Sequence, residues 1–208
     1  MQAQIAEKVE NLGVAKTRLG ALQTILLGVL AGAFISFGAM LFTLVISDSV
    51  LGLGPTRLLG GVAFSLGLVL EVIADAELFT GNNLIVMAWA EGRVATWSLT
   101  LNWTLVYVGN FIGSLVTAVF VWFSGVLDFG PPGTSQAVAA TTVRIAVDKV
   151  TLPTVELLFR EILCNTLVCL AVRLSLAAHT VSEKIWPSYS LSPPSWRWDS
   201  SIRSRTCI

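Results

Sequence analysis

The chain has 208 residues, 54% hydrophobic and 12% charged, with zero formal net charge and a mean hydropathy of +0.77. A soluble domain carries about 25% charged residues, so the composition excludes an ordinary soluble enzyme and leaves an all-α integral membrane protein built as one helical bundle. Zero net charge argues against nucleic acid, and Cys164, Cys169 and Cys207 form neither a metal set nor a disulfide framework.

Residues 1–23 read as a polar, amphipathic lead-in with Lys8, Lys16 and Arg18 close to the membrane. The membrane region is expected over 24–184. Its first span runs from about 24 to 47 and holds Gly28, Gly32, Ser36 and Gly38, small residues that let helices approach closely in lipid. A short loop with Gly52, Gly54 and Pro55 follows. The second apolar run covers about 58–89 and is broken at 79–83, where Thr80-Gly81-Asn82-Asn83 favours a turn. The third span covers about 99–123, with Trp97, Trp103 and Trp122 suited to the interfaces. Residues 124–152 read as a polar connection broken by Gly130-Pro131-Pro132-Gly133, and the fourth span runs from 153 to about 178. After Lys184 the aliphatic residues give way to Pro, Ser, Trp and Arg.

The broken second span is the candidate functional element. At membrane depth, backbone outside a helix is tolerated only when buried in protein or lining a watery cavity, and interrupted spans mark transport sites. The competing structural reading is two short helices joined by a surface loop. Around the break stand Glu71, Asp75 and Glu77, and span four carries Arg160, Glu161, Asn165 and Arg173. Ionisable groups in lipid are costly unless paired or hydrated, so they are expected inside the bundle. Glu71 and Asp75, four apart on one helical face, would repel if both were ionised, so at least one is expected to be protonated or paired with Arg160 or Arg173. Thr80 and Asn165 suit either a grip on a small ligand or a hydrogen bond between helices. Lys8, Lys16 and Arg18 precede span one, and the first loop offers Arg57. The positive-inside rule therefore places the N-terminus in the cytoplasm of an inner-membrane protein.

Three stretches carry a family likeness. Span one (Ala31-Gly32-Ala33-Phe34-Ile35-Ser36-Phe37-Gly38-Ala39), the break (Ala76-Glu77-Leu78-Phe79-Thr80-Gly81-Asn82) and span four (Leu163-Cys164-Asn165 with Val168-Cys169-Leu170-Ala171) resemble the formate/nitrite transporter family. Asn102-Trp103 and Gly109-Asn110-Phe111-Ile112-Gly113 fit as well. The resemblance implies an aquaporin-like bundle of six spans in two inverted halves, of which about four are read here. It also implies a homopentamer with one pore per protomer that moves small monovalent anions such as formate or nitrite. Position by position, Thr80 resembles the threonine facing the pore centre, Asn165 the asparagine that holds a central histidine, and Lys149 the vestibule lysine that draws in anions. Phe64 and Leu68 resemble the outer constriction; Leu78, Phe79 and Val168 resemble the inner one. The resemblance calls for no cofactor and no metal.

The departures are equally specific. Asp75 and Glu161 stand where the family has glycine, and Glu71 and Arg173 replace apolar or aromatic residues; relaxed sequence is favoured over a new proton relay. The only histidine, His179, sits at the polar end of span four and does not align with the family's pore histidine. Codons for Trp198 to Ile208 can be chosen so that, read from the third base, they spell Gly-Phe-Glu-His-Ser-Ile-Ala-Asn-Met-Tyr, which resembles the family pattern of the second broken helix. A frameshift between about Lys184 and Pro187 is therefore expected, with 185–208 translated out of frame and the chain truncated. The sequence shows no nucleophile–base pair, metal cluster or phosphate loop, so no catalysis is expected. The readings carried forward are a small-anion permease, impaired by the truncation; a non-transporting remnant; and a neutral-solute channel of aquaporin type, disfavoured because no Asn-Pro-Ala repeat occurs.

Overall fold

A computed structural model describes residues 2–47, 49–130 and 136–177. The tail, His179 and the side chain of Arg173 lie outside the described residues. Among the described residues eight α-helices follow in order: α1 Gln2–Thr17, α2 Ala21–Ser47, α3 Leu53–Ile73, α4 Phe79–Asn82, α5 Ile85–Ala90, α6 Thr96–Phe123, α7 Ala137–Val150 and α8 Thr154–Ala177. No strand occurs among the described residues. Helices α2, α3 and α6 are long and apolar enough to cross a membrane. Helix α8 forms where the fourth span is expected, and its 24 residues reach roughly 36 Å. Glu156, Arg160, Glu161 and Arg173 make it the most polar of the long helices.

The bundle is set by glycine contacts. Helices α2 and α6 run parallel, and a Cβ on Gly32 would lie 2.2 Å from the Asn110 carbonyl oxygen. One on Gly113 would lie 2.0 Å from that of Val29. Helix α3 returns antiparallel across α2 at Gly38 and Gly67, where an added Cβ would stand 2.7 Å and 2.5 Å from backbone oxygens. Close backbone approach of this kind replaces the hydrophobic driving force that lipid removes. Helix α1 docks beneath, with Val9 buried and Gly13 against Ala88 of α5.

Two local differences from the sequence reading have clear causes. The polar connection contains a helix, α7, because Val138 and Thr141, three apart, form a buried stripe that packs on α2. The interruption of the second span begins earlier than 79–83. Helix α3 ends at Ile73, residues 74–78 are non-helical, and α4 is a single turn containing Thr80-Gly81-Asn82. The stop is a Schellman motif: the Ala76 N–H donates to the Glu71 carbonyl at 3.1 Å, and Asp75 sits at φ 51. The Asp75 position thus demands left-handed backbone rather than close helix contact, and its side chain is exposed. The glycine of the family pattern suits it for that reason.

Candidate functional site

The non-helical stretch leaves backbone groups that lipid cannot satisfy. Asn110 of α6 supplies most of the answer. Its Oδ1 accepts from the Phe79 N–H at 2.9 Å, and its Nδ2 donates to the carbonyls of Gly28 at 2.8 Å and Glu77 at 2.9 Å. The Glu77 N–H reaches the Leu27 carbonyl of α2 at 3.3 Å. One amide thus joins α2, the break and α6, and it caps the first N–H of α4. The N-terminus of the one-turn helix α4 is therefore already engaged by a protein acceptor.

Behind the break lies a buried polar cluster. Glu77 is 3% exposed, and the Lys16 ammonium from α1 stands 3.0 Å from its Oε1. Lys16 also donates to Asn82 Oδ1 at 3.0 Å, while Asn82 Nδ2 donates to Glu77 Oε2 at 2.6 Å and to Asn102 Oδ1 at 3.0 Å. Asn102 Nδ2 returns to the Lys16 carbonyl, and the Trp103 indole N–H donates to the Asn82 carbonyl. Every polar group has a partner, which is the condition for a buried ionic network to be tolerated.

On the other side of α4 the Thr80 hydroxyl is buried and has no partner. Its carbonyl accepts a weak bond from Cys169 Sγ on α8 at 3.5 Å. The next turn is linked to α8 as well, by Asn83 Nδ2 to Asn165 Oδ1 at 3.4 Å, while Asn165 Nδ2 donates to the Glu161 carbonyl. The structure therefore brings Thr80 and Asn165 into one α4–α8 contact, with Val168 buried beside Cys169.

The other sequence candidates are more dispersed. Leu78 is extended at the start of α4 and half-buried. The Phe79 ring packs edge-on against Trp103 and Tyr107 of α6, with centroids 6.2 and 5.8 Å away. Phe64 and Leu68 lie one turn apart on α3, half-buried and buried respectively. Lys149 is exposed in the last turn of α7, which packs mainly on α2 and on the 3₁₀ turn Val126–Asp128. It belongs to the end of the bundle opposite α1.

The expected ion pairs are also redistributed. Arg160 binds Glu156, its neighbour on α8, rather than Glu71 or Asp75. Glu71 is 9% exposed and, with Asp75, Lys8 and Lys16, lines a cavity of about 450 Å³ between α1, the end of α3 and α5. Lys16, which sequence reasoning placed only as a flanking cation, is the partner of Glu77. The available signal was Glu77, a carboxylate inside an apolar run that requires a cation from outside it. Among the described residues, no group of three His, Cys, Asp or Glu side chains suits a metal.

A family model for formate/nitrite transporters matches residues 3–190. The formate channel FocA of Haemophilus influenzae is 34% identical over 188 residues, covering 87% of this chain and 63% of that protein. FocA of Escherichia coli K12 is 35% identical over 187 residues, covering 88% and 64%. A solved pentameric formate channel with formate bound superimposes with a TM-score of 0.74 at 34% identity, over 87% of this chain and 69% of the other. The chain thus spans 63% to 64% of the length of these two curated relatives.

Proposed function

Since the chain belongs to the formate/nitrite transporter family, we propose that it moves small monovalent anions, formate or nitrite in type, through a path in each protomer that passes Thr80. The observation that carries this reading is the buried Thr80 hydroxyl, which finds no partner although the backbone around it is held by Asn110 and Cys169. Such an orphan calls for a water or ligand, and a hydroxyl beside a broken helix can donate to an anion that has shed its hydration shell. Phe64, Leu68, Leu78 and Val168 would supply the apolar walls that dewet the path. Lys149 would raise anion concentration at the far mouth. The chain's part is positioning and desolvation; no bond is made or broken.

The same reading places the protein in the inner (plasma) membrane as a multi-pass homopentamer with a cytoplasmic N-terminus. Large exposed side chains on α6, among them Tyr107, Phe111, Phe120 and Trp122, offer apolar area to lipid or to neighbouring protomers. The test is flux into proteoliposomes. Formate entry that exceeds glycerol entry and falls in Thr80→Val supports the proposal, and glycerol entry equal to formate entry refutes it. An impaired carrier is a second reading, favoured by Glu71, a carboxylate buried beside the break. It predicts flux that rises when Glu71→Ala removes the charge.

A further inference from the structure

We propose that the groove between α1 and the α5–α6 turn binds the phosphodiester headgroup of an anionic phospholipid. The groove has a volume of about 560 Å³ and is lined by Asn11, Val14, Ala15, Arg18, Leu19 and Arg93. Arg93 is fixed in it. Its Nη1 donates to Glu10 Oε2 at 3.1 Å and its Nη2 to Asn11 Oδ1 at 2.6 Å. Asn11 and Arg18 are seven apart on or just beyond α1, two helical turns, and so share one face. Arg18 is exposed and makes no side-chain bond to any described residue. Two guanidinium groups and one carboxylate leave a single positive charge in excess. That matches a phosphodiester monoanion.

Position in the bundle favours a lipid over a soluble anion. Arg18 lies three residues before α2, and Arg93 three residues before α6. These two helices run parallel and are both apolar spans, so the arginines share one level, where the bundle leaves the hydrocarbon. Tryptophans sit at the same level. Trp97 is 74% exposed, and the Trp89 indole N–H donates to Thr96 Oγ1. Such rings settle at the headgroup layer. Leu19 lines the groove, and Leu22, just inside α2, is 71% exposed, which provides apolar surface beside the charges. Basic pockets at a span's end recognise anionic headgroups by this combination. The proposal rests on the chain spanning a bilayer and is independent of what it conducts.

The experiment is native mass spectrometry of the full chain in neutral detergent, titrated with phosphatidylglycerol, with phosphatidylcholine of the same acyl chains, or with inorganic phosphate. One phosphatidylglycerol adduct is expected to form about fivefold more tightly than the phosphatidylcholine adduct. Arg18→Ala is expected to abolish that preference and Arg18→Lys to retain most of it. Arg144→Ala, exposed on α7 at the opposite end, is expected to leave it unchanged. Equal retention of the two lipids overturns the proposal. So does a preference that survives both Arg18→Ala and Arg18→Gln, or one lost equally in Arg144→Ala. Phosphate binding without lipid preference assigns the groove to a soluble anion and also overturns it.

Discussion

The Lys16 ammonium reaches from α1 to the Glu77 carboxylate, 3.0 Å away, at the point where α3 has stopped and α4 has not begun. The lead-in helix is thereby tied to the interruption of the second span. Glu77 is 3% exposed and Lys16 25%, so the pair is largely withdrawn from water. Losing one partner of such a pair strands the other charge, at a cost of about 3 kcal/mol. Lys16→Met is expected to lower the melting temperature of detergent-solubilised protein. Adding Glu77→Gln to it is expected to recover at least half of the loss. A double variant no more stable than Lys16→Met would show that the two groups are not coupled.

Asp75 occupies a left-handed C-terminal position with an exposed side chain. Asp75→Gly should therefore stabilise the chain by about 0.5–1 kcal/mol, and Asp75→Val should destabilise it. Thermal unfolding of the two variants checks the sign. If charge removal alone mattered, both would shift the same way.

Gly113 and Gly32 set the α2–α6 crossing. Gly113→Ala drives a methyl group against the Val29 carbonyl, which is backbone and cannot rotate aside. A loss of about 1–3 kcal/mol is expected, seen as a reduced monodisperse fraction in size-exclusion chromatography. Gly54→Ala, inside α3 and with nothing within 4 Å of its added Cβ, is the control and is expected to cause no loss.

Thr80→Val separates stability from transport. Removing a buried hydroxyl without a partner should leave the melting temperature unchanged or raise it, by up to about 1 kcal/mol in stability. Formate flux should fall at least tenfold. Parallel loss of stability and flux would mean that the hydroxyl is a structural contact.

The tail makes a prediction that needs no protein. The gene is expected to encode Gly-Phe-Glu-His-Ser-Ile-Ala-Asn-Met-Tyr in the frame that starts at the third base of the Trp198 codon. Its nucleotide sequence, if it spells no such run there, removes the frameshift between Lys184 and Pro187.

Much of the fold follows from the order of residues alone. Long apolar runs must become helices in lipid, because only a helix satisfies its own backbone within one segment. Spans α2, α3 and α6 are legible for that reason, and so is an interruption near Thr80. Small residues spaced along α2 and α6 announce close crossings without naming the partner. The tertiary structure decided where the unsatisfied groups of the interruption go. Asn110 is 31 residues from Phe79, and Lys16 is 61 from Glu77; spacing carries no information about pairs so far apart. The structure also assigned Arg160 to its own helix neighbour and the Asp75 position to a backbone requirement, since competition among nearby partners is settled by packing and not by type. Apolar length is a local property of the chain, whereas the satisfaction of a buried polar group depends on which helices meet.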